Sequence, residues 1–377
     1  MSITVAMYSH DSVGLGHLRR NRAIAFALAE HLPPGSSGIL IAGHPAATRF
    51  SLPAGWDWLV LPGYARTPDG YTARALHMGV SGLSELRSLT ITAALAALSP
   101  DLFIVDRHPF GVDDELRPVL DMLHTTGCVT VLGLREVLDT PAVAHAEWRT
   151  AETAAAYDAL WVYGDPAIHD PVASGEIPAE LAPLVSFTGY LSRGRHVDEG
   201  DPVEAPYLIT TVGGGSDGGQ LARIAARTRP PEGHRHLVVT GPQMSEAELL
   251  AVRALAATHH TQVTRFVPNL PTLIRDAAGV VCMGGYNSLA EVMATDTPAL
   301  VIPRNTRRAE QPIRARALAD AAVSDTIDIN DLTPRRLGEW MAGAATRRVS
   351  REHVDLDGLH RVGHLACDLL AEVSSHV

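Results

Sequence analysis

Hydrophobic runs of four to six residues alternate with helical patterns through the first half of the chain. Strand-like runs fall at Ile3–Tyr8, Gly38–Ala42, Trp58–Leu61, Leu102–Asp106, Val129–Leu134 and Leu160–Tyr163. Between the first two lies "HLRRNRAIAFALAEHL", where Ile24, Leu28 and Leu32 recur every four residues, as one face of a helix does. Strands alternating with helices predict right-handed crossovers and a mostly parallel sheet. Near Tyr190 the periodicity stops. "LSRGRHVDEGDPVEAP" is polar, carries glycine and proline, and reads as a linker over 191–205. Strand–helix alternation then restarts. Strands are expected at Tyr207–Val212, His236–Thr240, Gln262–Val267, Gly279–Met283 and Ala299–Ile302. Helices are expected from about Gly219, Ser245, Asn269, Asn287 and Glu310. The pattern predicts an α/β protein of two Rossmann-like domains facing a cleft. The first covers 1–190 and the second 206–355, and a last helix over 356–377 is placed to cross back onto the first domain.

Composition changes this picture little. A chain of 377 residues, 46% hydrophobic and 19% charged, is ordinary for a soluble globular protein of two domains. No apolar stretch approaches the roughly 20 residues of a membrane span. The start, "MSITVAMYSH", has neither a basic segment nor a cleavage site, and three cysteines lie in or beside apolar runs without metal spacing. Both features lead to the expectation of a cytoplasmic protein without membrane insertion. A net charge of −11 argues against nucleic acid as a partner. The 18 histidines look scattered, and no zinc signature or paired metal spacing stands out, so no metal is expected.

Candidate chemistry gathers at strand-to-helix corners. In open parallel sheets ligands bind beyond the carboxyl ends of strands, where helix N-termini carry unsatisfied N–H groups and partial positive charge. "GVVCMGGYNSLAEVM" has that layout. Gly284 and Gly285 let backbone approach a phosphate. Asn287 or Ser288 caps the helix or donates to a phosphate oxygen. Glu291 lies one turn later on the same face, and a carboxylate there suits the two hydroxyls of a ribose. An ordinary capped helix with Glu291 in solvent fits the same pattern. A second cluster, "LITTVGGGSDGG", puts Gly213, Gly214, Gly215 and Ser216 just after the Tyr207–Val212 run, where glycine turns form anion-binding nests.

The first loop, "SHDSVGLGHLRRN", has Gly14 and Gly16 but lacks the third glycine of a dinucleotide fingerprint. His17 follows at the start of a helix, where a neutral imidazole can take a proton from an attacking hydroxyl. Asp106, ending the "DLFIVD" run, is the candidate to hold its tautomer. Simple capping roles fit both residues as well.

Together "VGLGH", "VGGGSDGG", "RFVPNLPTLIRDAAGVVCMGGYNSLAE" and "PRNTRRAEQPIRARAL" resemble the GT-B glycosyltransferases, and most closely the MurG-like group of UDP-N-acetylglucosamine transferases. The resemblance covers most of the chain and implies an inverting, metal-independent transfer from a UDP-sugar without a cofactor. It implies that Phe266 and Val267 meet the base through backbone. Gly16, Gly214, Gly215, Ser216, Gly285, Asn287 and Ser288 approach the donor, and Glu291 holds ribose. Glu310 and Gln311 hold sugar hydroxyls, while Arg304, with Arg307 and Arg308 nearby, neutralises pyrophosphate. The first loop lacks the fuller glycine run of the peptidoglycan enzymes, and the first half shows no basic, apolar docking patch. A small-molecule acceptor, such as a specialised metabolite used in antibiotic biosynthesis, is therefore expected. "GLGHLRR" also resembles a UDP-sugar hydrolase of sialic-acid-like pathways. A UDP-N-acetylglucosamine 2-epimerase and a non-catalytic nucleotide-sugar-binding protein remain open too.

Overall fold

A computed structural model describes residues 2–375 except 12–14, 68–69, 146–147, 257–260 and 305–308. The chain divides into two compact units. Unit 1 holds Met1–Pro166, Asp170–Gly194 and Asp357–Val377; unit 2 holds Ala167–His169 and Arg195–Leu356.

Among the described residues unit 1 contains nine strands: β1 Thr4–Ser9, β2 Ser37–Ala42, β3 Trp56–Val60, β4 Tyr64–Thr67, β5 Gly70–Ala73, β6 Leu102–Asp106, β7 Val129–Arg135, β8 Ala159–Tyr163 and β9 Val185–Phe187. Seven form a sheet in the order β3-β2-β1-β6-β7-β8-β9, and every neighbouring pair is parallel. The central strands are covered on both faces, which is why "LFIVD" and "ALWVY" read as unbroken apolar runs. β4 and β5 form a separate antiparallel hairpin that the hydrophobic pattern did not announce. Its positions are exposed or half-buried around Tyr64, so it lacks an apolar run. A fully buried ion pair, Arg87 Nε to Glu115 Oε2 at 2.5 Å, anchors the end of β1. The Tyr8 hydroxyl donates to the same carboxylate. Removing one partner of such a pair costs about 3–5 kcal/mol.

Unit 2 contains β10 Tyr207–Thr211, β11 Arg235–Val239, β12 Thr261–Thr264, β13 Gly279–Cys282, β14 Ala299–Val301 and β15 Asp325–Thr326, ordered β12-β11-β10-β13-β14-β15 and all parallel. Its core joins Leu208, Val238, Val281 and Leu300 to Leu221, Val252 and Met341 of the covering helices. β12 is shorter than the expected Gln262–Val267. The last ladder bond runs from Thr240 N–H to Thr264 O at 2.9 Å, and Gly241 then turns the partner chain away with φ +82°.

The segment read as a linker begins inside unit 1. Leu191 is fully buried and pairs antiparallel with Asp357, where the chain returns. The helix Gly358–Ser375 belongs to unit 1 and packs on the helix Gly16–His31, bringing His360 and His364 to His31. Cys128 and Cys282 are buried, and burial first of all raises both thiols to about 12; Cys367 is partly exposed. Among the described residues no helix is long and apolar enough to cross a membrane.

Candidate functional site

Both sheets follow one plan: the first strand of each unit lies between its second and its fourth, leaving out the hairpin of unit 1. The direction of winding reverses there, so the flanking helices diverge and open a crevice at the carboxyl ends of the two strands. His17 and Asp106 lie at the first of these reversals, and the glycine corners with Asn287, Ser288 and Glu291 at the second.

In unit 1 the reversal lies between β1 and β6, and the register Tyr8–Val105 sets their ends level. His17 is the second residue of the helix that follows β1. Its Nδ1 lies 3.0 Å from Oδ2 of Asp106, the last residue of β6. The Asp106 side chain is fully buried, and that of His17 is 22% exposed. Arg20, one turn beyond His17 and also buried, donates from Nη2 to both Asp106 oxygens at 2.6 Å. Burial alone would raise the Asp106 carboxyl. Arg20 and then His17 outweigh it and hold the group well below the usual carboxylate range. An ionised carboxylate only accepts hydrogen bonds, so the His17 Nδ1 that faces it carries a proton, which selects the tautomer with its lone pair on Nε2. The 3.2 Å approach of Arg20 Nη2 to the same Nδ1 follows from both groups facing one carboxylate.

Asp11 fixes the loop. Its φ of +45° turns the chain, and its carboxylate accepts from Leu18 N–H at 3.2 Å, Gly43 N–H at 3.3 Å and the Ser9 hydroxyl at 2.6 Å. Burial raises this carboxyl. His10 stacks edge-on to His17 and His108, with ring centroids 4.9 and 4.6 Å away. Burial first, then these two neighbours, push its imidazole well below the ordinary value, so His10 is neutral at physiological pH. Gly16 opens the helix one residue before His17 and is the one donor-binding candidate that lies in unit 1. Gly14 lies outside the described residues.

In unit 2 the reversal lies between β10 and β13, with Thr211 level with Cys282. The two glycine clusters therefore leave adjacent strands at the same edge. Gly213 and Gly215 have φ of +64° and +93°. A Cβ on Gly215 would stand 2.2 Å from Thr240 O, so both the turn and the packing require glycine. Gly214 and Ser216 are exposed. On the other corner Gly285 is the N-cap of the helix Tyr286–Met293, and it caps through no side chain. Capping by Asn287 or Ser288 is thus corrected: both sit inside the first turn, where their side chains cannot reach back as a cap. Leu289 N–H bonds back to Gly285 O at 3.1 Å and closes the first turn, whose N-terminal end faces the glycine corner.

Glu291 is 3% exposed, not in solvent. Arg195, from the segment read as a linker, reaches it. Its Nη1 lies 3.9 Å from Glu291 Oε1, and its Nη2 donates to Asn287 Oδ1 at 3.1 Å. A buried carboxylate needs a countercharge, and local pattern gave no sign that one would come from so far along the chain.

The next strand, β14, brings the loop after Ile302 to the same edge. Arg304 pairs with Asp217 beside the first glycine cluster at 2.7 Å and lies 3.7 Å from Glu310. Its N–H donates to Gln311 Oε1 at 3.2 Å. Glu310 and Gln311 are buried at the start of the helix Glu310–Asp320. Arg314, on the same helix, donates to Gly284 O at 3.0 Å and so ties this helix to the glycine corner. Phe266 and Val267 lie beyond β12, Phe266 being 55% exposed. Arg307 and Arg308 lie outside the described residues. Sequence reasoning missed Arg20, Asp11, Arg195 and Arg314. Only Arg20 left a local signal, its spacing of three from His17 on one helix face.

Residues 209–348 match the glycosyltransferase family 28 C-terminal domain. The UDP-N-acetylglucosamine--N-acetylmuramyl-(pentapeptide) pyrophosphoryl-undecaprenol N-acetylglucosamine transferase of Leuconostoc citreum (strain KM20) is 26% identical over 131 residues. The match spans 33% of this chain and 36% of that relative's length. Among solved structures, the glycotransferase of kitacinnamycin is similar with a TM-score of 0.60 at 15% identity, over 99% of this chain and 98% of that one. The glycosyltransferase VinC, solved with dTDP, is similar with a TM-score of 0.60 at 15% identity over 100% of both chains. The likeness to family 28 thus lies within the second unit, and the whole chain has the GT-B fold expected from its sequence.

Proposed function

We propose that the protein is an inverting glycosyltransferase that moves a sugar from a UDP-sugar to a small-molecule acceptor without a catalytic metal. The observation that carries this reading is the pair of glycine corners on adjacent strands β10 and β13, in a unit that matches family 28. Such corners offer main-chain amides and a helix N-terminus to a diphosphate, and this can replace a divalent cation in stabilising the leaving group. Glu291 receives the ribose hydroxyls beside Arg195, which favours a ribonucleotide. Glu310 and Gln311 take sugar hydroxyls, and backbone near Phe266 and Val267 meets the base.

His17 supplies the base. Its Nε2 takes the proton from the acceptor hydroxyl as that oxygen bonds to the anomeric carbon. The bond from that carbon to the UDP oxygen breaks, UDP leaves with the electron pair, and configuration inverts. The Asp106 carboxylate stabilises the imidazolium that forms. N-acetylglucosamine as the sugar is supported by the Leuconostoc relative, and a specialised-metabolite acceptor by the likeness to the kitacinnamycin enzyme. The "GLGHLRR" loop supports hydrolysis as the second reading, with water in place of the acceptor.

Calorimetry of the full chain with UDP, dTDP and GDP should find UDP bound most tightly. Release of UDP from UDP-sugars should be slow alone and accelerate on adding acceptor. Release at a catalytic rate without acceptor would assign the protein to the hydrolases, and no binding of any diphosphate would overturn both readings.

A further inference from the structure

His360 and His364 are spaced by four in the sequence, but that pair stood alone there because the third donor, His31, comes from the opposite end of the chain. His31 ends the helix Gly16–His31, while His360 and His364 stand one turn apart on the helix Gly358–Ser375 packed against it. One ring nitrogen from each of the three lies within 4.8 Å of the others. The ring centroids of His31 are 5.0 Å from His360 and 5.2 Å from His364.

Three details suit this cluster to a cation. His31 Nδ1 lies 2.8 Å from Ala27 O. A carbonyl can only accept, so Nδ1 holds the proton and the lone pair sits on Nε2, the arrangement that backbone carbonyls impose on metal-bound histidines. Gly363, between the other two histidines, makes room for the ring: a Cβ there would lie 2.3 Å from His31 Cγ. The third detail is spacing. His360 Nε2 and His364 Nε2 are 3.2 Å apart. Zinc–nitrogen bonds of about 2.0–2.1 Å at tetrahedral angles put two ligand nitrogens roughly 3.3–3.4 Å apart.

We propose that His31 Nε2, His360 Nε2 and His364 Nε2 form a binding site for a divalent transition-metal ion of the zinc class, with a fourth position open to water. Three imidazoles select such an ion over calcium or magnesium, which require oxygen donors. The ion would fasten the C-terminal helix to the first helix of unit 1, as an addition to the fold and not as a part of glycosyl transfer. Without an ion, the 3.2 Å contact is a hydrogen bond between two imidazoles.

The test uses full-length protein stripped with EDTA and titrated with zinc chloride by calorimetry. Cobalt(II) absorption serves as a readout of tetrahedral geometry. One equivalent of zinc should bind and raise the melting midpoint. His360→Ala and His364→Ala, both at exposed positions, should each weaken binding by at least about tenfold and abolish the tetrahedral cobalt bands. His77→Ala, an exposed histidine elsewhere, should change neither. Absence of zinc binding by the wild-type chain, or binding undiminished in both variants, would overturn the proposal.

Discussion

Where β1 meets β6, the chain buries Asp106 against Arg20 and stands His17 on the pair; where β10 meets β13, it places Gly213–Gly215 and Gly284–Gly285 and withdraws side chains. The strand plan is the same and the contents are opposite. The first junction carries its own charges, already paired, and uses them to fix the tautomer of one imidazole. The second keeps side chains away from the strand ends; under the proposed function, main-chain amides there meet the charge that a ligand brings. A shared topology therefore supplies only the position of a site; in the proposed function the residues at the strand ends decide whether it acts on protons or on phosphates.

If this division holds, substitutions at the two junctions should separate turnover from nucleotide affinity. The largest effect is expected for His17→Ala. Steady-state kinetics should show turnover falling by about 10²–10⁴-fold, while calorimetry shows UDP affinity unchanged. Turnover at the wild-type level would remove His17 from the chemistry.

Gly215→Ala should do the reverse. A methyl group 2.2 Å from Thr240 O, on a residue with φ of +93°, must displace the loop. Strain of this kind costs about 1–3 kcal/mol, and tenfold in affinity corresponds to about 1.4 kcal/mol. UDP should thus bind on the order of tenfold or more weakly. Wild-type affinity in this variant would show that the first glycine cluster is not a phosphate cradle.

The smallest effect is on acid stability. The folded Asp106 carboxyl is held below its usual range, chiefly by Arg20 and His17 against the opposing effect of burial. Its contribution is therefore fully present above the unfolded value of about 3.9 and is lost as pH falls below that toward the folded value. Urea unfolding between about pH 4 and 2 should show a decline of up to about 1.4 kcal/mol per pH unit in the native chain beyond that in Asp106→Asn. The variant should also be less stable at neutral pH, because Arg20 loses its countercharge. Parallel pH profiles would mean that another group sets the acid limit.

The alternation of strands and helices, both ends of β6, the start of β10 and both glycine corners were legible in the sequence. They rest on burial period, on turn residues and on backbone freedom, which act over a few neighbouring residues. Boundaries failed where those signals thin out: the exposed hairpin of β4 and β5, the three-residue β9, the two-residue β15 and the early end of β12. His17 and Asp106 were each visible as residues at the end of an element, and the parallel pairing of β1 with β6 brought them together.

What only the tertiary structure decided is which charged or ligating side chains meet. Arg195 reaches Glu291, Arg314 reaches Gly284, and His31 joins His360 and His364 across almost the whole chain. None of these meetings has a local signature. Each depends on where a crossover lands and on which face a distant helix turns inward. Periodicity within one segment specifies which of its faces is buried, but not which partner covers that face.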